Sequence, residues 1–228
     1  MMENIKTKKN VVYTVITKGY EYLLDPLVIS NDFDYICFTD DDSFKSDIWQ
    51  IRPLPNDVVN LDNTRKNRKI KLLPHRYLDE YDWSIYIDGN YRIKTDVSLW
   101  IEPLIDSNLT FFAMQHDRLR NCTYKEAHMC ILYKKDLTEV IMKQMKKYRS
   151  EGFPDEQGLT GNSLIIRKHN DINLIKVNEV WWNELKSHSR RDQLSFIYSC
   201  WKEGFKYGIL PGNSRENNYY EYGDHKKQ

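Results

Sequence analysis

The sequence is poor in the features that mark several large protein classes. Its 228 residues contain only four cysteines, Cys37, Cys122, Cys130 and Cys200, with no Cys-x-x-Cys pair. That excludes a zinc ribbon and a dithiol redox motif, and it fits a reducing compartment. No strong excess of one charge is present either: 34 Lys and Arg face 33 Asp and Glu, a formal net charge of +1. Proteins whose affinity comes from phosphate contacts carry a marked basic surplus, so no nucleic-acid partner is expected. Apolar runs such as Ile85 to Ile87 and Leu164 to Ile166 fall far short of the ~18 residues that span a bilayer. Met1 to Asn10 is polar and lacks the apolar stretch of a signal peptide, so the expected setting is soluble and cytoplasmic, without a transmembrane segment. Nine glycines and seven prolines exclude collagen-like and low-complexity chains. Two sequons, at Asn108 and Asn121, would matter only in a secreted chain.

What is present is ordinary globular composition, 40% hydrophobic and 29% charged, enough for one core. Asn10 to Ile16 reads as a buried strand entering a loop at Thr17-Lys-Gly19, with a helix near Glu21. Asp34 to Thr39 is a second strand, ending at Asp40-Asp41-Asp42. Asp62 to Leu73 reads as a helix stopped by Pro74, and Trp83 to Ile87 as a strand stopped by Asp88-Gly-Asn90. Beyond it, Ser98 to Ile105 reads as a helix, Leu109 to Met114 as a strand and Leu137 to Arg149 as a helix. Ser163 to Arg167 reads as a strand, and Asn173 to Lys186 and Arg191 to Lys202 as helices. Pro211 to Gln228 is a polar, Tyr-rich tail without periodicity. This alternation predicts a single α/β domain over 1–228 with a mostly parallel sheet flanked by helices. Ligands of such sheets bind beyond the carboxyl ends of the strands.

Three strands end in residues that carry chemistry. Asp88-Gly89-Asn90 places two oxygen donors around a glycine turn, a set that suits magnesium or manganese; a plain turn needs the same residues. Asp40 can accept from a nucleoside. Arg65, Lys66, Arg68 and Lys69 on one helix can neutralise a diphosphate, with Arg65 and Lys69 at i and i+4 on one face; a solvated basic helix face accounts for the same residues. His116 and Arg118 follow a strand and could meet anionic groups or form a salt-bridge cluster. Trp182 could stack on a sugar, and Asp192 could be an N-cap and nothing more. In the tail, His225 could complete a metal site and Lys226 could meet a phosphate, or both could be solvated.

A set of segments in fixed order is more specific than any one of them. Pro74-His-Arg-Tyr77, Tyr81-Asp-Trp-Ser84 with Tyr86-Ile-Asp-Gly89, His116 with Arg118 and Cys122, Gly152-Phe-Pro154 with Gly158-Leu159, Arg167-Lys-His169, Trp181-Trp182 and Arg191-Asp-Gln-Leu-Ser-Phe196 follow one another here. Over Val11 to Lys202 this order resembles a glycosyltransferase-like family, once catalogued as a domain of unknown function, found in plant cell-wall-related proteins and bacterial polysaccharide loci. The resemblance implies a GT-A (Rossmann-like) fold, a nucleotide-diphosphate sugar donor, a glycan acceptor and a divalent metal on an Asp-x-Asp motif. Here the second Asp is Asn90. On that reading Asp88, Asn90 and His225 hold the metal, while Thr17, Asp40, Arg65, Lys69 and Lys226 hold the nucleotide and its phosphates. His116, Arg118, Trp182, Arg191, Asp192 and Gln193 meet the donor sugar or the acceptor, and Asp192 or Glu184 is the base if the reaction inverts. The acceptor could be lipid-linked at a membrane surface. A nucleotidyltransferase acting on a sugar phosphate and a non-catalytic glycan-binding module are the alternatives.

Overall fold

β-Branched and aromatic runs, too apolar to face water, form the strands. The computed structural model describes residues 9–116, 120–215 and 217–223. Its strands are β1 (Asn10–Ile16), β2 (Phe33–Thr39), β3 (Gln50–Pro53), β4 (Trp83–Ile87), β5 (Tyr91–Ile93), β6 (Phe111–Gln115), β7 (Thr160–Arg167), β8 (Gly208–Asn213) and β9 (Tyr220–Tyr222). The α-helices are α1 (Asn63–Leu72), α2 (Ser98–Ile101), α3 (Thr123–Leu132), α4 (Thr138–Ser150), α5 (Ile172–Ser187) and α6 (Gln193–Lys202). Seven strands form one sheet in the order β3-β2-β1-β4-β7-β6-β8, and β5 pairs with β9 in a separate ribbon. The sheet is mostly parallel; β7 alone runs antiparallel to its neighbours β4 and β6.

Alternation along β1 divides the core. Val11, Tyr13 and Val15 face one side with Ile70, Leu174, Trp181 and Phe196 from α1, α5 and α6. Val12 and Ile16 face the other side with Trp49, Trp100, Phe112 and Tyr220. Because both faces are covered, the strands are near-continuous apolar runs. The chain lays β2 and β3 outward on one side of β1, then returns to set β4 on its other side. That reversal leaves a crevice between the carboxyl ends of β1 and β4, where open α/β sheets bind ligands.

Several expectations are corrected. No helix forms near Glu21: Lys18 and Gly19 both take φ of 56°, outside the helical region, and Pro26 follows. Instead Glu21 turns inward onto the Asp88 turn. The sequence reading passed over α3, although Thr123, Glu126, Ala127 and Cys130 are buried at helical spacing. The tail contains structure as well. Pro211 to Asn213 belong to β8, an edge strand where a proline costs no ladder bond. Tyr220–Tyr222 pair with Tyr91–Ile93, and Tyr220 stacks on Tyr91 at 4.2 Å between ring centroids. Among the described residues no helix is long and apolar enough to cross a membrane.

Candidate functional site

Two chambers open at the β1/β4 crevice. The larger, about 550 Å3, is lined by the end of β1 and by Thr17, Lys18, Tyr20 and Glu21 after it, by Asn63, Thr64, Asn67 and Arg68 of α1, and by Asp88, Lys135, Arg190 and Arg191. The smaller, about 190 Å3, is lined by Lys71, Tyr91, His116, Asn162, Asp192 and Gln193 among others. Arg68, Asp88 and Arg191 line both, so the chambers meet at Asp88.

Asp88 leaves β4 with its amide donating to Ser163 O at 3.0 Å, and its Oδ1 accepts from Tyr86 Oη at 2.8 Å. Gly89 is required next to it: a Cβ there would lie 2.7 Å from Glu21 Oε2 and 2.7 Å from Ile16 Cγ1. This close approach lets the Asn90 amide donate to Glu21 Oε2 at 3.1 Å. Burial and the negative charge of Asp88 push Glu21 up to about 7, against the pull of the Asn90 and Gly89 amides and of Arg68. Glu21 and Asp88 therefore crowd two carboxyl groups into one chamber, a donor set that fits a hard divalent cation taking one or two protein carboxylates. Among the described residues no group of three or more His, Cys, Asp and Glu could hold a metal. Asn90 is buried beside the turn, and His225 lies outside the described residues.

Beneath Asp88 lies a buried ion pair. Lys71, 2% exposed, sets its Nζ 2.7 Å from Asp192 Oδ2 and 3.9 Å from Asp88 Oδ1. Arg68 Nε lies 3.6 Å from the same Asp192 oxygen. Burial alone would raise the Asp192 carboxyl, but Arg68, Lys71 and Arg191 outweigh it and hold the group well below the usual range. The Lys71 backbone is fixed in turn, since its carbonyl accepts from Tyr13 Oη at 2.8 Å and from the Arg167 guanidinium. The Asp192 carbonyl accepts from Trp181 Nε1 at 2.8 Å, which anchors the start of α6.

The sequence candidates divide accordingly. Thr17, Asp88, His116, Arg191, Asp192 and Gln193 line the chambers. Thr17 Oγ1 donates to Asn63 O at 3.1 Å, and the Arg191 guanidinium donates to Gln193 Oε1 at 2.9 Å. Asp40 sits at the rim, where it accepts from the Lys18 amide at 2.7 Å and lies 3.7 Å from Lys66 Nζ. Arg65 and Lys69 do share a helix face, but it is not the chamber face. Arg65 donates to the carbonyls of Leu185 and His188, and Lys69 to Asp57. The pair facing the ligand space is Arg68 and Lys71. Trp182 is 5% exposed in the core against α1, so its ring offers no sugar platform. Glu184 pairs with Lys147 at 2.7 Å away from both chambers, which removes it as a base. Arg118 and Lys226 lie outside the described residues.

Residues 37–209 match the model of the TOD1/MUCI70 glycosyltransferase-like domain. The chain belongs to that family. A similar curated protein is the probable hexosyltransferase MUCI70 of Arabidopsis thaliana, 27% identical over 166 residues. That alignment covers 68% of this chain but only 28% of the plant protein. Among solved structures, the apo form of the bifunctional glycosyltransferase WbbM superposes with a TM-score of 0.55 at 12% identity, over 91% of this chain and 39% of that one. Mouse xyloside xylosyltransferase 1, also apo, gives 0.51 at 9% identity, over 88% and 85%. At such identities the structures speak for the fold alone.

The family match spans Arg68, Lys71, Asp88, Asn162 and Asp192 but begins after β1, so Thr17 to Glu21 lie outside it. Sequence reasoning missed Glu21 and Lys71, and offered Arg68 only as one of four basic residues on the helix rather than as the one facing the chambers. For Lys71 a signal existed: a lysine inside the run Ile70-Lys-Leu-Leu73 is an ionisable group in a segment that must be buried. For Glu21 there was none, because its position depends on the left-handed turn at Lys18 and Gly19.

Proposed function

We propose that this chain is a glycosyltransferase of hexosyltransferase type, moving a sugar from a nucleotide-diphosphate donor to a hydroxyl of a glycan acceptor in surface polysaccharide synthesis. The observation that carries the reading is the pair of joined chambers at the β1/β4 crevice, with Asp88, Arg68 and Arg191 at the junction. The larger has the volume of a small-molecule site and cationic side chains suited to a nucleoside diphosphate. The smaller, polar chamber suits one sugar unit. The family model and the name of the plant relative point the same way.

In the reaction the bond from the anomeric carbon to the diphosphate oxygen breaks and its electron pair leaves with the nucleoside diphosphate. The acceptor oxygen bonds that carbon, and its proton passes to the departing diphosphate oxygen. Arg68 and Arg191, fixed at the junction, stabilise charge developing on the leaving group, where preorganised charge lowers a barrier most. Asp88 and Glu21 are the residues that would hold a manganese or magnesium ion. Such an ion supplies further neutralisation of the diphosphate. Asp192, locked to Lys71 and Arg68 as a carboxylate, is a poor proton acceptor. Its role is to accept hydrogen bonds from sugar hydroxyls.

The test is a thermal-shift panel of nucleoside diphosphates and nucleotide sugars with and without manganese, since a ligand of the native state raises stability by mass action. Stabilisation of several degrees by one nucleotide, dependent on metal and lost in Asp88→Asn, is expected, with nucleoside diphosphate released on turnover. Release of pyrophosphate would instead mark a nucleotidyltransferase. No shift with any nucleotide would remove the reading.

A further inference from the structure

The tip of the α3–α4 hairpin exposes apolar surface that the fold does not use. Leu132, Tyr133 and Leu137 are each 61% exposed and Met142 is 60% exposed. The two helices are held by other residues, with Ala127, Cys130, Ile141 and Leu194 buried between them and α6. Large apolar side chains left exposed together along one short helix–turn–helix stretch mark an interaction surface.

The charge around them is one-sided. The whole chain is close to neutral, yet residues 132–147 hold five lysines against Asp136 and Glu139. Among the described residues only Lys147 of these five is ion-paired, to Glu151 and Glu184, and Asp136 is engaged by Ser189 and Arg190. Lys134, Lys135, Lys143 and Lys146 are exposed and have no acidic partner among the described residues. Lys134 also occupies the left-handed position after α3, with φ of 51°, where glycine would be less strained. The lysine sits there at a conformational cost.

We propose that this hairpin tip docks on an anionic lipid bilayer. Leucine, tyrosine and methionine side chains enter the headgroup boundary while the lysines lie at the level of the lipid phosphates. A protein partner would need acids matched one by one to these lysines, whereas an anionic bilayer presents negative charge everywhere the tip can reach. Lys135 lines the larger chamber, so docking sets the mouth of the crevice at the membrane surface. There an acceptor saccharide carried on a lipid would meet the donor; this last step rests on the glycosyltransferase reading, the docking does not.

The test is co-sedimentation of the full chain with vesicles of phosphatidylcholine alone or mixed with phosphatidylglycerol. Binding to the mixed vesicles is expected, weak on the neutral ones and suppressed at roughly 1 M salt, where screening acts within about 3 Å. Lys143→Ala with Lys146→Ala should weaken it roughly thirtyfold, at the strength usual for two juxtamembrane lysines. Leu132→Ser, Tyr133→Ser and Leu137→Ser together should abolish it, and these exposed positions leave the fold intact, which circular dichroism checks. Equal sedimentation of variant and parent, or none of the parent, would overturn the proposal. So would a concentration-dependent dimer that the triple variant dissolves, since the patch would then face a second copy. The nucleotide panel on the same samples separates failure of docking from failure of the donor reading.

Discussion

The Lys71–Asp192 pair gives the sharpest test of how this site is built. Lys71→Met keeps a stem of similar length and removes the ammonium, which leaves the buried Asp192 carboxylate with Arg68, 3.6 Å away, and the more distant Arg191. Breaking a buried ion pair from one side costs about 3 to 5 kcal/mol, because the remaining charge is neither solvated nor matched. With Arg68 retained, the loss should fall near the lower end, about 3 kcal/mol. Adding Asp192→Leu removes the stranded carboxylate and should recover part of it, the remainder reflecting Arg68, which then keeps only the charges of Asp88 and Glu21. Urea unfolding followed by tryptophan fluorescence measures both, as shifts in midpoint at unchanged slope. The pH dependence has a definite sign. Asp192 is held below its ordinary value, so its stabilisation is complete above the unfolded pKa of about 3.9 and is lost as pH falls below it. That acid-side loss should be smaller in Lys71→Met than in the parent. A single variant within about 0.5 kcal/mol of the parent, or a double variant less stable than Lys71→Met, would refute the claim that this pair sets the charge state of the site.

Two further outcomes follow from packing and burial. His169 is fully buried, with Nε2 2.7 Å from Leu78 O, and burial lowers it from 6.5 to about 4. The unfolded chain binds the extra proton between those values, so stability should be complete above about pH 6.5 and fall by about 3 kcal/mol as pH drops to 4. His169→Gln keeps a donor for Leu78 but does not titrate, and equal slopes of stability against pH in parent and variant would count against the assignment. Gly89→Ala brings a methyl to 2.7 Å from Glu21 Oε2 and Ile16 Cγ1. The overpacking should cost about 1 to 3 kcal/mol and lower the melting temperature by several degrees; an unchanged melting curve would mean that the turn is looser than described.

Much of the fold was legible because period and punctuation agree. The runs of β1, β2 and β4 could only be buried, and each stops at a cluster of polar residues that must lie at a strand end. Asp88 and His116 could therefore be placed near one crevice from the sequence, whereas Asp192 and Gln193, at the start of a helix, were tied to it only by the family resemblance. Partners could not, because they depend on register between elements far apart in the chain. Arg65 and Lys69 satisfy the i, i+4 rule as well as any ligand pair, but α1 is rotated so that its Arg68 and Lys71 meet Asp192, 124 and 121 positions away along the sequence. Trp182 fails as a sugar platform for a similar reason: an aromatic pair signals core and ligand surface alike until the helix face is known. The ribbon of Tyr91–Ile93 with Tyr220–Tyr222 is equally non-local, and nothing in a three-residue segment reports a partner more than 120 residues distant.

The cost of the site separates function from stability. Lys71, Asp192 and Arg167 lie at 2%, 3% and 0% exposure in the layer under the crevice. Replacing such buried charges by apolar residues commonly leaves a fold as stable or more so, so stability alone does not account for three of them together. The Arg167 guanidinium is directed to the Lys71 carbonyl and Tyr13 rather than to an acid, which makes it a clamp on the backbone that presents Lys71. Lys71 in turn fixes the carboxylate of Asp192 in the smaller chamber, within reach of the Asp88 charge at the junction. Each buried charge thus holds the next one nearer the ligand space. Such a chain makes sense where an anionic, strongly solvated ligand must be met by groups that do not move, and much less sense in a domain that only binds an uncharged glycan on its surface.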